Sequence, residues 1–146
     1  MSRHEPFVPT GFAPPTRLTV GEFRLEPLGP EHNERDYAAW SSSMDHIRRS
    51  PGYEKGGSWP REMGLDENRA DLERHARDFF NRAGFTFTVL NRSDEVVGCV
   101  YVYPADDGVH DARVRSWVRE SEAMHHDFIA SARLRKVGAF TSGVSG

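Results

Sequence analysis

The sequence predicts an α+β fold in which a mostly antiparallel central sheet is flanked by helices. Three observations predict it. Residues 85–119 hold three strand-like runs in succession, FTFTVL, EVVGCVYVY and ARVRSWVR, separated by polar loops. Consecutive strands suit an antiparallel meander. Two segments, 31–49 and 67–83, repeat apolar residues at helical spacing, and the alternating run RLTVGEFRLEPL places strands ahead of both.

The elements follow in order. Residues 1–16 carry Pro6, Pro9, Pro14 and Pro15. Proline fixes φ and removes amide donors, so this segment is expected to be an extended or disordered arm. A single domain is expected over 17–136, with 137–146 as a flexible tail of small and polar residues. Leu18 and Val20, then Phe23 and Leu25, alternate with polar residues around Gly21-Glu22, which suits a hairpin. Pro30 fits the first turn of a helix. Tyr37, Trp40, Met44 and Ile47 recur at steps of three, four and three, which predicts one helix over 31–49, ended by Pro51-Gly52. The stretch GYEKGGSWPREMG has four glycines and reads as a loop carrying Tyr53 and Trp59. Asp66 is an expected N-cap. Leu72, His75, Ala76, Phe79 and Phe80 form the apolar stripe of the next helix, with Gly84 as its expected cap.

Phe85, Phe87 and Val89 alternate against Thr86, Thr88 and Leu90. The near-continuous apolar run 96–103 reads as a central strand, with Gly98 marking a bulge or a close backbone approach. In the last run Val114, Ser116 and Val118 face one way and Arg113, Arg115, Trp117 and Arg119 the other. That second face reads either as an anion site with an aromatic platform or as a solvated surface whose arginines pair with helical acids. A final helix is expected over 121–136, with Ser121 as its N-cap.

Composition narrows the function. The 146 residues carry a formal net charge of −3, and of the 19 cationic residues only Lys55 and Lys136 are lysines. Neither nucleic acid nor a membrane surface is an expected partner. The single cysteine, Cys99, lies in an apolar run and cannot form an intrachain disulfide; it is expected to be buried and inert. No run reaches the roughly 18 apolar residues of a membrane span, and the N-terminus lacks an apolar centre, so the cytoplasm is the expected location. The adjacent pair His125-His126 points two ways on a helix, and no metal site is expected.

The order of elements from Phe23 to Lys136 resembles the front of the GCN5-related N-acetyltransferase (GNAT) family. FRLEPLGPEH looks like that family's first strand and helix, FTFTVLNRSDEVVGCVYVYP like its second and third strands, DARVRSWVR like its fourth strand, and SEAMHHDFIASARLRK like its central helix. The chain is also similar to short actinobacterial GNAT-like proteins with a GCVYVYP-type strand followed by a SWVR-type strand. The resemblance implies acetyl transfer from acetyl-CoA, as cosubstrate, to a small-molecule amine. It implies donor contacts at Trp117, Val118, Arg119 and Ser121, because the family's fourth strand and the helix after it hold the pantetheine arm and the pyrophosphate.

By position on that scaffold, Glu26 is the candidate general base and Tyr103 the candidate general acid. Trp40, Tyr53 and Trp59 are candidates to line the acceptor cleft. The family's pyrophosphate loop is glycine-rich, whereas the join here reads Arg119-Glu120-Ser121-Glu122-Ala123, with two carboxylates where phosphates would sit. The family's further C-terminal strands are also missing from the pattern: only ten residues follow Lys136. Two alternatives therefore stand: a GNAT-like acetyltransferase of minimal or degenerate form, or a non-catalytic module that binds a small ligand or forms a homodimer through an exposed strand edge.

Overall fold

The computed structural model describes residues 7–8, 11–53, 59–105, 109 and 112–125. Five strands form one antiparallel sheet in chain order: β1 (Leu18–Val20), β2 (Phe23–Pro27), β3 (Phe85–Leu90), β4 (Val96–Pro104) and β5 (Ala112–Val118). The β1–β2 hairpin turns at Gly21, whose φ of 57° lies in the left-handed region that glycine enters without a Cβ clash.

Between β2 and β3 come a 3-10 turn (Pro30–His32) and helices α1 (Asn33–Ser41), α2 (Met44–Arg48) and α3 (Leu65–Phe80). The single helix expected over 31–49 is thus split. Ser42 Oγ donates back to the carbonyls of Ala38 and Ala39, at 2.8 and 3.1 Å, and Ser43 leaves helical geometry at φ −132°, ψ 23°. Serine hydroxyls that bond the preceding turn bend and end helices. The apolar period ran through this break because Trp40 and Ile47 both face the sheet on either side of it.

Helix α3 starts at Leu65 with Gly64, not Asp66, in the capping position. Its C-terminus is closed by Arg82, at φ 58°, with Ala83 N–H donating to the Asp78 carbonyl and Arg82 N–H to the Phe79 carbonyl. This paired capping arrangement normally uses glycine at the left-handed position. Gly84 is not part of it; a Cβ there would collide with the Tyr103 ring. After β5, a short 3-10 turn covers Glu120–His125. Ser121 lies inside that turn, and the rest of the helix expected over 121–136, with the tail 137–146, falls outside the described residues.

The sheet buries both faces. On one, Val20, Phe23, Leu25, Phe85, Phe87, Val89, Val100, Val102 and Val118 form a core, and Phe7 stacks on Phe85 at 5.8 Å. On the other, α1, α2 and α3 press Trp40, Ile47 and Leu72 onto Leu90, Val96, Cys99 and Trp117. Val89 pairs with Gly98 but Leu90 with Val96, so Val97 is an extra residue in β4. Gly98 faces Val118 across the β4–β5 ladder, and a Cβ on it would strike the Trp117 carbonyl oxygen. Gly98→Ala is therefore expected to cost about 1–3 kcal/mol, read as a lower urea midpoint, while an unchanged midpoint would mean that the ladder can widen freely there.

Candidate functional site

On the helix-covered side of the sheet lies a cavity of about 590 Å³, within the size range of small-molecule sites. Sequence period explains its walls. Alternation in a strand sends Tyr101 and Tyr103 of β4, and Arg113 and Arg115 of β5, to the same face, where they are cross-strand partners. From α3, Asn68, Asp71, Leu72 and His75 stand at steps of three, one and three, the spacing of one helical face, and enter the cavity wall. Tyr53, Trp59, Arg61 and Met63 close it from the segment between α2 and α3, and Asp36 contributes from α1.

A polar network runs behind this wall. Trp40 Nε1 donates to Asn68 Oδ1 at 3.0 Å, and Asn68 Nδ2 donates to Asp36 Oδ2 at 3.1 Å and to Asn33 Oδ1 at 2.9 Å. The Cys99 thiol reaches Asp36 Oδ1 at 3.6 Å. Burial raises the Asp36 carboxyl to about 6, only partly offset by the Asn68 hydrogen bond. Burial, with Asp36 close by, also drives the Cys99 thiol well above its ordinary range, so it stays protonated and a poor nucleophile.

A second cluster centres on His75. Its Nδ1 lies 3.0 Å from both Tyr103 Oη and Thr86 Oγ1, and Tyr103 O–H donates to Asp78 Oδ2 at 2.9 Å. Desolvation, helped by Arg74, lowers His75 to about 4, which leaves a neutral ring at pH 7. Burial also pushes Tyr103 up to about 12. Trp59, in the cavity wall, lies 5.9 Å from Tyr53 and is backed by Trp40 at 5.5 Å and Trp117 at 5.7 Å. Trp117 is itself buried, and its Nε1 donates to Tyr101 Oη at 2.8 Å.

At the end of β5 the chain is pinned. Arg119 N–H donates to the Val97 carbonyl at 2.8 Å, and Glu122 N–H to the Arg119 carbonyl at 2.9 Å. Glu120 N–H donates to Ser43 Oγ at 2.9 Å. These three amides are therefore already engaged.

No family model and no curated protein matches the chain, but solved structures do. The ribosomal L7/L12 alpha-N-protein acetyltransferase RimL, in complex with coenzyme A, aligns over 84% of this chain and 66% of its own at 14% identity, with a TM-score of 0.67. The microcin C7 self-immunity acetyltransferase MccE, in complex with acetyl-CoA and AMP, aligns over 89% of this chain and 69% of its own at 14% identity, with a TM-score of 0.66. The acetyltransferase from Salmonella typhimurium that modifies the N-terminal serine of L7/L12 aligns over 83% and 64% at 12% identity, with a TM-score of 0.63. The chain has the GNAT fold. It spans about two thirds of the length of the solved GNAT structures it matches.

On the GNAT scaffold the residues singled out from sequence fall in four places. Tyr53, Trp59 and Tyr103 line the cavity. Trp40 stands behind it, 1% exposed, with its ring against Trp59 and Tyr37. Trp117 and Val118 are buried at the end of β5, and Arg119 and Ser121 follow at the join. Glu26 stands apart from the cavity wall. Its row across the sheet is Thr88, Cys99 and Trp117. Its Oε1 accepts from His32 Nε2 at 2.9 Å, the proton being on Nε2 because Nδ1 accepts from the Gly29 amide. That bond, with help from Arg24, holds the Glu26 carboxyl below its usual range, which weakens it as a base.

Sequence reasoning missed Asp36, Asn68 and Arg74, and placed His75 in the apolar stripe of α3 without a site role. A signal existed. Asp36 falls four residues before Trp40, and Asn68 four before Leu72, so each is a polar residue in phase with an apolar stripe.

Proposed function

We propose that this chain transfers an acetyl group from acetyl-CoA to a small-molecule amine. The observation that carries the reading is the position of the cavity on the GNAT scaffold: it opens beside β5, the end strand of the described sheet, and two β5 side chains, Arg113 and Arg115, form part of its wall. The outward amides and carbonyls of an end strand are available to an extended ligand. A pantetheine arm lying along Trp117 and Val118 would bring its thioester to the cavity. The amine nitrogen attacks the thioester carbonyl; the C–N bond forms, the C–S bond breaks, and the proton lost from nitrogen ends on the thiol sulfur. Tyr103, in the cavity wall, is the assigned proton donor to the sulfur and regains its proton from the one lost by nitrogen, and Tyr53 and Trp59 flank the acceptor. Neighbouring guanidinium groups disfavour an ammonium, so they ease formation of the nucleophilic free amine.

Titration with acetyl-CoA tests this. At about 100 times its dissociation constant the ligand should stabilise the fold by about 2.7 kcal/mol, read as a rise in melting temperature. Replacing Glu120 and Glu122 by glycine should tighten binding, because both carboxylates oppose the donor's phosphates. No thermal shift at millimolar acetyl-CoA would overturn the proposal. A homodimer built through the β5 edge would compete for the same backbone groups, so donor affinity should not fall as protein concentration rises.

A further inference from the structure

We propose that the acceptor is an amine that also carries a carboxylate or a phosphate beside a planar ring, with Arg113 and Arg115 holding the anion and Tyr53 and Trp59 flanking the ring. This rests on the acetyltransferase reading above. The first observation is charge. The chain as a whole is net negative, at −3, yet four arginines line the cavity against two aspartates. An amine entering as a bare ammonium would be repelled; one bringing its own negative charge would be drawn in.

The second observation is pairing. Arg61 is tied to Glu67 at 2.9 Å and Arg74 to Asp71 at 3.7 Å, whereas Arg113 and Arg115 make no ion pair among the described residues. They stand two positions apart on one strand face, about 7 Å between their Cα atoms, so both guanidinium groups can converge on one carboxylate or phosphate. The third is shape. The Arg115 guanidinium sits 5.3 Å from the centre of the Tyr53 ring, and Trp59 lies 5.9 Å from that same ring. The anion site thus adjoins flat apolar surfaces suited to a planar group.

The test is calorimetric titration of the full chain, without acetyl-CoA, using phenyl phosphate, benzoate and the neutral control benzyl alcohol. Both anions should bind, benzyl alcohol about tenfold or more weakly, and the anion affinities should fall with added salt. The tighter of the two anions identifies whether phosphate or carboxylate is the group recognised. Arg113→Gln with Arg115→Gln should weaken the anions by about tenfold or more, while a cooperative melting transition shows that the variant is still folded. Arg119→Gln should leave phenyl phosphate affinity unaltered, which separates this site from the donor's phosphate end. Equal binding of benzyl alcohol, or undiminished anion binding by the double variant, would overturn the inference. If phenyl phosphate binds through these arginines while acetyl-CoA does not bind, the anion site stands and the acetyltransferase reading falls.

Discussion

Trp117→Ala is expected to cost about 3–5 kcal/mol of stability, a large part of the roughly 5–15 kcal/mol that holds a domain folded. Trp117 is 1% exposed. It belongs to the helix-side core with Trp40, Ile47 and Leu72, and its indole also supports Trp59 at 5.7 Å. Alanine would leave a void between sheet and helices and deprive the Tyr101 hydroxyl of its donor. Trp117→Phe keeps most of the volume but not the N–H, so it should cost less, about 1–2 kcal/mol. Urea denaturation reads both. A loss below about 1 kcal/mol for the alanine variant would mean that Trp117 stands on a solvated face and not in this core.

The second large effect is hidden in the parent protein. Asp36 titrates near 6 in the fold, against an ordinary value of 3.8. The folded chain holds that proton more tightly, so this group's contribution is present at low pH and is lost as pH rises from about 4 to 6. The full swing is about 3 kcal/mol. His75 titrates near 4, against an ordinary value of 6.5. Its contribution is present above pH 6.5 and is lost as pH falls toward 4, by a similar amount. The two swings oppose each other across one window.

Asp36→Asn should therefore make stability fall more steeply than in the parent as pH drops from 6.5 to 4. His75→Gln should do the reverse, flattening or inverting the fall. Urea midpoints at pH 4, 5, 6 and 7 measure both. The groups around them are Asn68, Cys99, His32 and Asp71 for Asp36, and Tyr103, Thr86, Arg74, Asp71 and Asp78 for His75. If both variants follow the parent's pH curve, the burial of these two side chains carries no such energetic weight.

The architecture was legible because it rests on local period. The alternation in FTFTVL became the two faces of β3, with Phe85, Phe87 and Val89 on one core and Leu90 on the other. Gly98 was readable as a close approach, since only a missing side chain explains glycine in an apolar strand. The break at Ser42 was not readable, because the apolar period continues through it and only the back-bonded hydroxyl reveals it. The cavity was partly legible. Tyr53, Trp59 and Tyr103 were aromatic residues in a loop or at a strand end. The Asp36–Asn68 and Tyr103–His75 contacts join residues 32 and 28 positions apart, and no local pattern encodes such pairings. The arginine face of β5 was readable as a face, but its surroundings depend on α3 and the Tyr53–Trp59 segment folding over it.

The three tryptophans of the chain form one unbroken row, Trp40 to Trp59 to Trp117, with ring centres 5.5 and 5.7 Å apart. Indoles this near share their excited states. The protein should therefore show a coupled circular-dichroism band rather than three independent chromophores, and all of its tryptophan emission arises beside a single chamber. Of the three, Trp59 is the one that lines the cavity, so displacing that middle ring alone would break the couplet.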